Sequence, residues 1–127
     1  MNKLIFVFLG GGMGSLARYL VGVQALRAFG MAWPYGTFIV NVAGGLLMGF
    51  LVGFLAHRGG ADQDRWRVLF GVGMLGGFTT FSAFTLEVAL MVERRSYGQA
   101  GAYVAASVLL ALAALFAGML IARRLFA

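Results

Sequence analysis

The stretch GVGMLGGFTTFSAFT, residues 71–85, decides the fold of this chain. It lies inside an apolar run, residues 68–92, that can cross a bilayer, since a spanning helix needs roughly 20 mainly apolar residues. The centre of this run is a poor helix, because Gly76 and Gly77 are adjacent and each glycine costs about 1 kcal/mol relative to alanine. We therefore predict a helix that breaks in mid-membrane. Paired glycines also let a neighbouring helix approach closely, and the glycines alone support both interpretations equally.

The side chains after the two glycines favour a functional site. Thr79, Thr80 and Ser82 carry hydroxyls to a depth at which no water is available. Phe81 and Phe84 are one helical turn apart and share one face. Backbone carbonyls freed by a break are tolerated there only where protein, water or an ion covers them.

Composition indicates an integral membrane protein. The 127 residues are 61% hydrophobic and 11% charged, with a mean hydropathy of +0.91. We predict one all-α membrane domain, residues 1–127, with four transmembrane spans at about 4–23, 36–56, 68–92 and 98–121. A cleavable signal peptide is not expected, because the first apolar run contains clustered glycines and Arg18 and lacks an A-x-A site. The basic residues behind the net charge of +6 flank the apolar runs, so we expect contact with membrane lipid and no binding of nucleic acid.

Four polar side chains are predicted at one depth. Arg18, Asn41, Glu87 and Tyr103 each lie about one to two helical turns inside the same membrane face. A shared layer implies a water-accessible pocket that opens on that face, above the broken centre of the third span. Glu87 and Tyr103 are on helices joined by a short turn, so we expect them to be neighbours. The alternative is a set of residues that snorkel to the interface, and for Asn41 a structural hydrogen bond to another helix.

Glycine patterns predict close helix packing. Gly10 and Gly14 are spaced four residues apart in the first span, and Gly45, Gly49 and Gly53 repeat that spacing in the second. Small residues at this spacing let the backbones of membrane helices approach one another.

The charge distribution permits insertion in both orientations. An even number of spans puts both termini on one side of the membrane. That side carries Lys3, Arg58, Arg65, Arg67, Arg123 and Arg124, whereas the other carries Arg27, Arg94 and Arg95, with Arg18 an arguable fourth. This bias is weak for the positive-inside rule, in which acidic residues count little.

Several function classes are excluded by the residues at hand. Cysteine is absent and the only histidine, His57, lies in a loop, which excludes thiol chemistry and most transition-metal sites. No nucleophile and base, phosphate-cradling loop or carboxylate pair is present, so we do not expect an enzyme. Hydroxyls, amides and aromatic ring edges at mid-membrane suit a small anion. Freed carbonyls would instead suit a hard cation such as sodium.

Three motifs together carry a resemblance to a known family. GGGMGSLARY at residues 10–19, GTFIVNVAGG at 36–45 and GGFTTFSAF at 76–84 resemble the Fluc (CrcB) family of fluoride channels, and the likeness covers the whole chain. The resemblance implies a passive, fluoride-selective channel in the bacterial inner (plasma) membrane that exports fluoride and lowers its cytoplasmic concentration. It also implies an antiparallel, dual-topology homodimer with two fluoride pathways and a structural sodium ion at its centre.

The resemblance assigns roles to residues by motif position. The carbonyls of Gly76 and Thr79 would bind sodium, and Arg18 and Glu87 would lie at the vestibule. The fluoride pathway would be lined by Asn41, Thr80, Phe81, Ser82, Phe84, Tyr103 and Ser107. Two departures are visible: after Ser107 the fourth span is Val, Leu and Ala until Gly118, and Ala83 stands where relatives often have threonine.

Two other functions remain open from the residues alone. A proton-coupled small multidrug exporter needs an intramembrane carboxylate, for which only Glu87 is suitable. A non-conducting assembly subunit would use the glycine faces and carry no ion.

Overall fold

Four long helical segments make up the chain. The computed structural model describes residues 2–127, and within this range every regular element is helical. The segments are Lys3–Phe29, Tyr35–Arg58, Gly60–Glu93 and Tyr97–Phe126, called here the first helix, second helix, third segment and fourth helix. Each is long and apolar enough to cross a membrane. The prediction of an all-α chain with four helices able to span a membrane is confirmed for residues 2–127.

The helices extend beyond the predicted spans, and the first connection is shorter than expected. The first helix continues through Gln24 and Arg27 to Phe29, because polar residues near the membrane surface do not interrupt helical hydrogen bonding. Gly30 follows its last residue; the φ of 82° is readily adopted by glycine, and the Gly30 N–H donates to the Leu26 carbonyl.

The third segment is made of several helical pieces. In order they are a 3₁₀ turn Gly60–Asp62, an α-turn Gln63–Trp66, a π-helix Arg67–Leu75, an α-turn Gly76–Phe78 and an α-helix Ser82–Glu93. The chain leaves helical geometry at residues 79–81, where Thr79 is extended with φ −84° and ψ 160°. The break begins one residue after the glycine pair, since Gly76, Gly77 and Phe78 are all helical.

The first helix packs against the third segment through glycines. A Cβ added to Gly14 would collide with the carbonyl oxygen of Met74, and one added to Gly77 would lie 2.5 Å from the carbonyl oxygen of Gly11. Gly10 is equally close to the π-helix backbone. The prediction that these glycines permit close helix packing is therefore confirmed. Gly77, beside the break, also has this packing role.

The second and fourth helices form the other tightly packed pair. A Cβ on Gly49 would overlap the Leu115 carbonyl oxygen, and one on Gly118 would overlap the Leu46 carbonyl oxygen. The predicted glycine face of the second helix is confirmed. Gly118 of the fourth helix makes the same kind of close contact with the backbone of the second helix.

Contacts at one end of the bundle place both termini together. Lys3 pairs with Asp64, and the Arg58 Nε donates to the carbonyl of Phe126 at 3.3 Å. The start of the first helix, the end of the second and the end of the fourth are thus at one end. The connections at residues 30–34 and 94–96 lie at the other, beside a buried cluster of Phe84, Met91, Ala100 and Tyr103.

Candidate functional site

The break in the third segment is held by an amide from the second helix. The Asn41 Nδ2 donates to the Thr80 carbonyl at 3.0 Å, and the Asn41 Oδ1 accepts from the Thr80 N–H at 2.8 Å. Both backbone groups of one residue are thereby satisfied by one side chain. This meets the requirement that polar backbone at membrane depth must find partners within the protein.

Two carbonyls at the break lose their helical donors. In a continuous helix the N–H of Thr80 would donate to the carbonyl of Gly76, and the N–H of Ala83 would donate to that of Thr79. Instead the Thr80 N–H donates to Asn41, and the Ala83 N–H donates to the Thr80 Oγ1 at 3.2 Å. These side-chain acceptors leave free the carbonyls of Gly76 and Thr79, the two that the family resemblance assigns to sodium.

A third carbonyl is covered by arginine. The Arg18 Nε donates to the carbonyl of Gly77 at 3.1 Å, and the Arg18 side chain is half-buried. In a continuous helix that carbonyl would have accepted from the N–H of Phe81. Arg18 also lines a cavity of about 410 Å³ together with Thr37 and Thr80. Its guanidinium therefore reaches the break.

A second cavity, of about 270 Å³, lies against the break and is called here the break cavity. It brings together most of the residues predicted for the fluoride pathway. Its lining consists of Asn41, Thr79, Thr80, Phe81, Phe84, Ser107, Val108 and Ala111. Ser107 is only 6% exposed, and among the described residues its Oγ has no hydrogen-bond partner. A buried hydroxyl without a partner is costly unless a ligand or water completes it.

The two phenylalanines of the break cavity have different surroundings. Phe84 is 8% exposed and packs on Tyr103 with ring centroids 5.1 Å apart. Phe81 is 76% exposed, and its ring lies 5.6 Å from that of Phe84 at an interplanar angle of 38°. In the single chain the cavity is therefore open on the Phe81 side.

Glu87 accepts two hydrogen bonds from hydroxyls. The Tyr103 Oη donates to the Glu87 Oε1 and the Thr37 Oγ1 donates to the Glu87 Oε2, each at 3.0 Å. The expected proximity of Glu87 and Tyr103 is confirmed. Thr37 was not singled out in the sequence, although it lies one turn before Asn41 and within the same motif. Glu87 and Thr37 also line a cavity of about 400 Å³ beside the connection at residues 30–34.

Two predicted pathway residues are not part of the break-cavity lining. Tyr103 is fully buried and its hydroxyl is committed to Glu87. Ser82 is exposed, with its Oγ 3.3 Å from the Thr80 Oγ1. The Ser82 hydroxyl thus lies next to Thr80, which lines the cavity, and the Tyr103 hydroxyl lies next to Glu87.

Comparisons with known proteins agree on one family. Residues 5–119 match the family model for CrcB-like protein, Camphor Resistance (CrcB). The chain is 68% identical over 126 residues, 99% of this chain and 98% of the relative, to a protein of Caulobacter sp. (strain K31) named fluoride-specific ion channel FluC. A protein of the same name from Phenylobacterium zucineum is 67% identical over 127 residues and the full length of both chains. FluC 2 from Nitrobacter hamburgensis is 49% identical over 125 residues, 98% of this chain and 99% of the relative.

Proposed function

The chain belongs to the CrcB-like family, and from this premise we propose that it is a passive fluoride channel of the bacterial inner membrane, which exports fluoride and lowers its cytoplasmic concentration. The names of its bacterial relatives support fluoride as the conducted ion. The four spanning-capable helices support a multi-pass membrane protein.

The observation that carries the proposal is the break cavity. Fluoride has an unusually high dehydration cost, so a selective path must replace its water with close hydrogen-bond donors and exclude larger anions by size. The unpartnered hydroxyl of Ser107 is such a donor, and the Asn41 Nδ2 has a second N–H beyond the one given to Thr80. The rings of Phe81 and Phe84 add edges that carry the positive part of the aromatic quadrupole.

Charges near the cavity suit entry of an anion and passive flow. Arg18 would attract anions toward the break from the vestibule. The hydroxyl of Thr80 lies in the cavity lining, and those of Ser82 and Tyr103 would extend the path beyond it. The membrane potential supplies about 2.3 kcal/mol per elementary charge per 100 mV. That force expels an anion from a negative interior without a coupling residue, so fluoride that entered as its neutral acid would leave through the channel.

The residues at the break fit a structural sodium ion. Among residues 2–127 no cluster of acidic or histidine side chains forms a metal site, so a cation would depend on backbone oxygens. The carbonyls of Gly76 and Thr79 are free of helical donors, and hard cations prefer oxygen ligands. When bound, sodium would offset the partial negative charge of these carbonyls at membrane depth.

The proposed assembly is an antiparallel homodimer in membrane lipid, with two fluoride pathways and the sodium site at its centre. The exposed ring of Phe81 supports a partner, because it leaves the break cavity open on one side in the single chain. The weak charge bias of the sequence is compatible with chains inserted in both directions.

The experiment that tests the function is anion efflux from liposomes. Purified protein is reconstituted, potassium permeability is supplied by valinomycin, and fluoride release is followed with an electrode beside an identical chloride assay. We expect rapid fluoride release without chloride release. Absence of fluoride release from folded, dimeric protein would contradict the proposal.

A further inference from the structure

The sodium site and the fluoride cavity share two side chains. Asn41 and Thr80 both line the break cavity; Asn41 accepts the Thr80 N–H inside the break, and Thr80 accepts the Ala83 N–H just after it. Each of these N–H groups belongs to the residue four positions after a carbonyl nominated for sodium, Gly76 in one case and Thr79 in the other.

We propose that Asn41 and Thr80 are positioning residues for the cation site: their side-chain oxygens withhold two N–H groups that would otherwise close the helix onto the Gly76 and Thr79 carbonyls. This inference rests on the proposed function, in which those carbonyls bind sodium. It assigns the Oδ1 of Asn41 and the Oγ1 of Thr80 to holding the two carbonyls free, while both side chains also line the break cavity.

The geometry favours this role over simple capping of the helix Ser82–Glu93. A cap needs only one acceptor near the first turn of a helix. Here a second acceptor, on a different helix, takes the Thr80 N–H at 2.8 Å, and the same amide returns a bond to the Thr80 carbonyl at 3.0 Å. Asn41 thus binds both the N–H and the carbonyl of Thr80. The residue immediately before it, Thr79, carries one of the two carbonyls assigned to sodium.

The two positions offer variants of matched shape. Thr80→Ser keeps the hydroxyl acceptor, whereas Thr80→Val keeps the branched shape and removes the acceptor. Asn41→Asp keeps an acceptor oxygen in either protonation state, and Asn41→Leu removes it while keeping the branching and the number of side-chain heavy atoms. A lost cap lowers stability equally with and without sodium. A lost positioning contact instead lowers the stabilisation that sodium adds.

The test measures the thermal unfolding midpoint of the purified dimer in sodium chloride and in N-methyl-D-glucamine chloride of equal ionic strength. The difference between the two midpoints is the sodium increment. We expect the wild type, Thr80→Ser and Asn41→Asp to show the increment. Thr80→Val and Asn41→Leu should lose it or need an at least about tenfold higher sodium concentration, equivalent to about 1.4 kcal/mol.

Several outcomes would overturn the inference. An unchanged increment in Thr80→Val or Asn41→Leu would remove that residue from the cation site, and absence of an increment in the wild type would remove both. If Asn41→Leu does not fold, the Thr80 pair decides. Fluoride efflux of the wild type is measured in parallel, so a protein that responds to sodium but does not conduct fluoride would contradict the proposed function alone.

Discussion

Phe81 and Phe84 belong to one motif but differ in how deeply their rings are buried. The ring of Phe84 is buried against Tyr103, whereas that of Phe81 is 76% exposed. Both rings line the break cavity, so both can present ring edges to it. Only the Phe84 ring is also packed inside the protein. Flux and stability should therefore respond differently at the two positions.

We predict that Phe81→Ile and Phe84→Ile each abolish fluoride efflux while the dimer stays intact, because an aliphatic side chain offers no positive ring edge. Phe84→Ile should also lower the free energy of unfolding, by less than the roughly 3–5 kcal/mol typical of a buried Phe→Ala change. Phe81→Ile should change stability little. Efflux and thermal unfolding are measured on the same preparations. Normal flux in both variants would remove the two rings from the pathway.

A substitution of Glu87 distinguishes the channel hypothesis from the proton-coupled exporter hypothesis. Its carboxylate accepts from Thr37 and Tyr103, and a glutamine can still accept from a hydroxyl. We predict that Glu87→Gln keeps selective fluoride efflux, with altered rate at most. The measurement is the liposome assay beside transport of an organic cation driven by a pH gradient. Gradient-driven cation transport by the wild type that disappears in Glu87→Gln would instead support the exporter.

The third segment shows how far local sequence predicts an element. A weak helix in mid-membrane is visible from the glycine pair and the hydroxyls that follow. The position of the break is not, because Gly76 and Gly77 remain helical and the chain departs at Thr79. The π-helix Arg67–Leu75 was not anticipated either. Its backbone lies against Gly10 of the first helix, and intrinsic propensity contains no information about that neighbour.

The glycines of the fourth helix allow a matched test of close packing. A Cβ on Gly118 would overlap backbone of the second helix, whereas one on Gly101 would meet nothing within 4 Å. We predict that Gly118→Ala lowers the thermal unfolding midpoint and that Gly101→Ala leaves it unchanged or raises it, since alanine is favoured over glycine in a helix by about 1 kcal/mol. Equal midpoints for the two variants would show that this helix pair does not need the close approach.

At the scale of the whole molecule, the arrangement of the ends bears on topology. Lys3, Asp64, Arg58 and Phe126 meet at one end, so one labelled position there reports on the orientation of every helix. The weak charge bias of the sequence predicts that both orientations occur.

The absence of cysteine makes orientation measurable. We predict that Ala61→Cys, in the exposed 3₁₀ turn at the start of the third segment, and Met31→Cys, at the opposite end, are each labelled to about half by a membrane-impermeant maleimide on intact cells. Labelling after membrane disruption supplies the total. Full labelling of one variant with none of the other would indicate a single orientation and contradict dual topology.

The amino-acid sequence by itself determined the four helices, the glycine faces and most of the residues of the candidate site. Apolar length and small-residue spacing are local properties, and a bilayer converts them directly into helices and close contacts. Tertiary structure alone decided where the third segment breaks and which distant groups bind the Thr80 N–H and the Gly77 carbonyl. The groups that take up the broken hydrogen bonds, Asn41 and Arg18, lie 39 and 59 residues from their partners in the chain. Backbone polar groups in a membrane must find partners, and only the packed bundle brings those partners to residues 77–80.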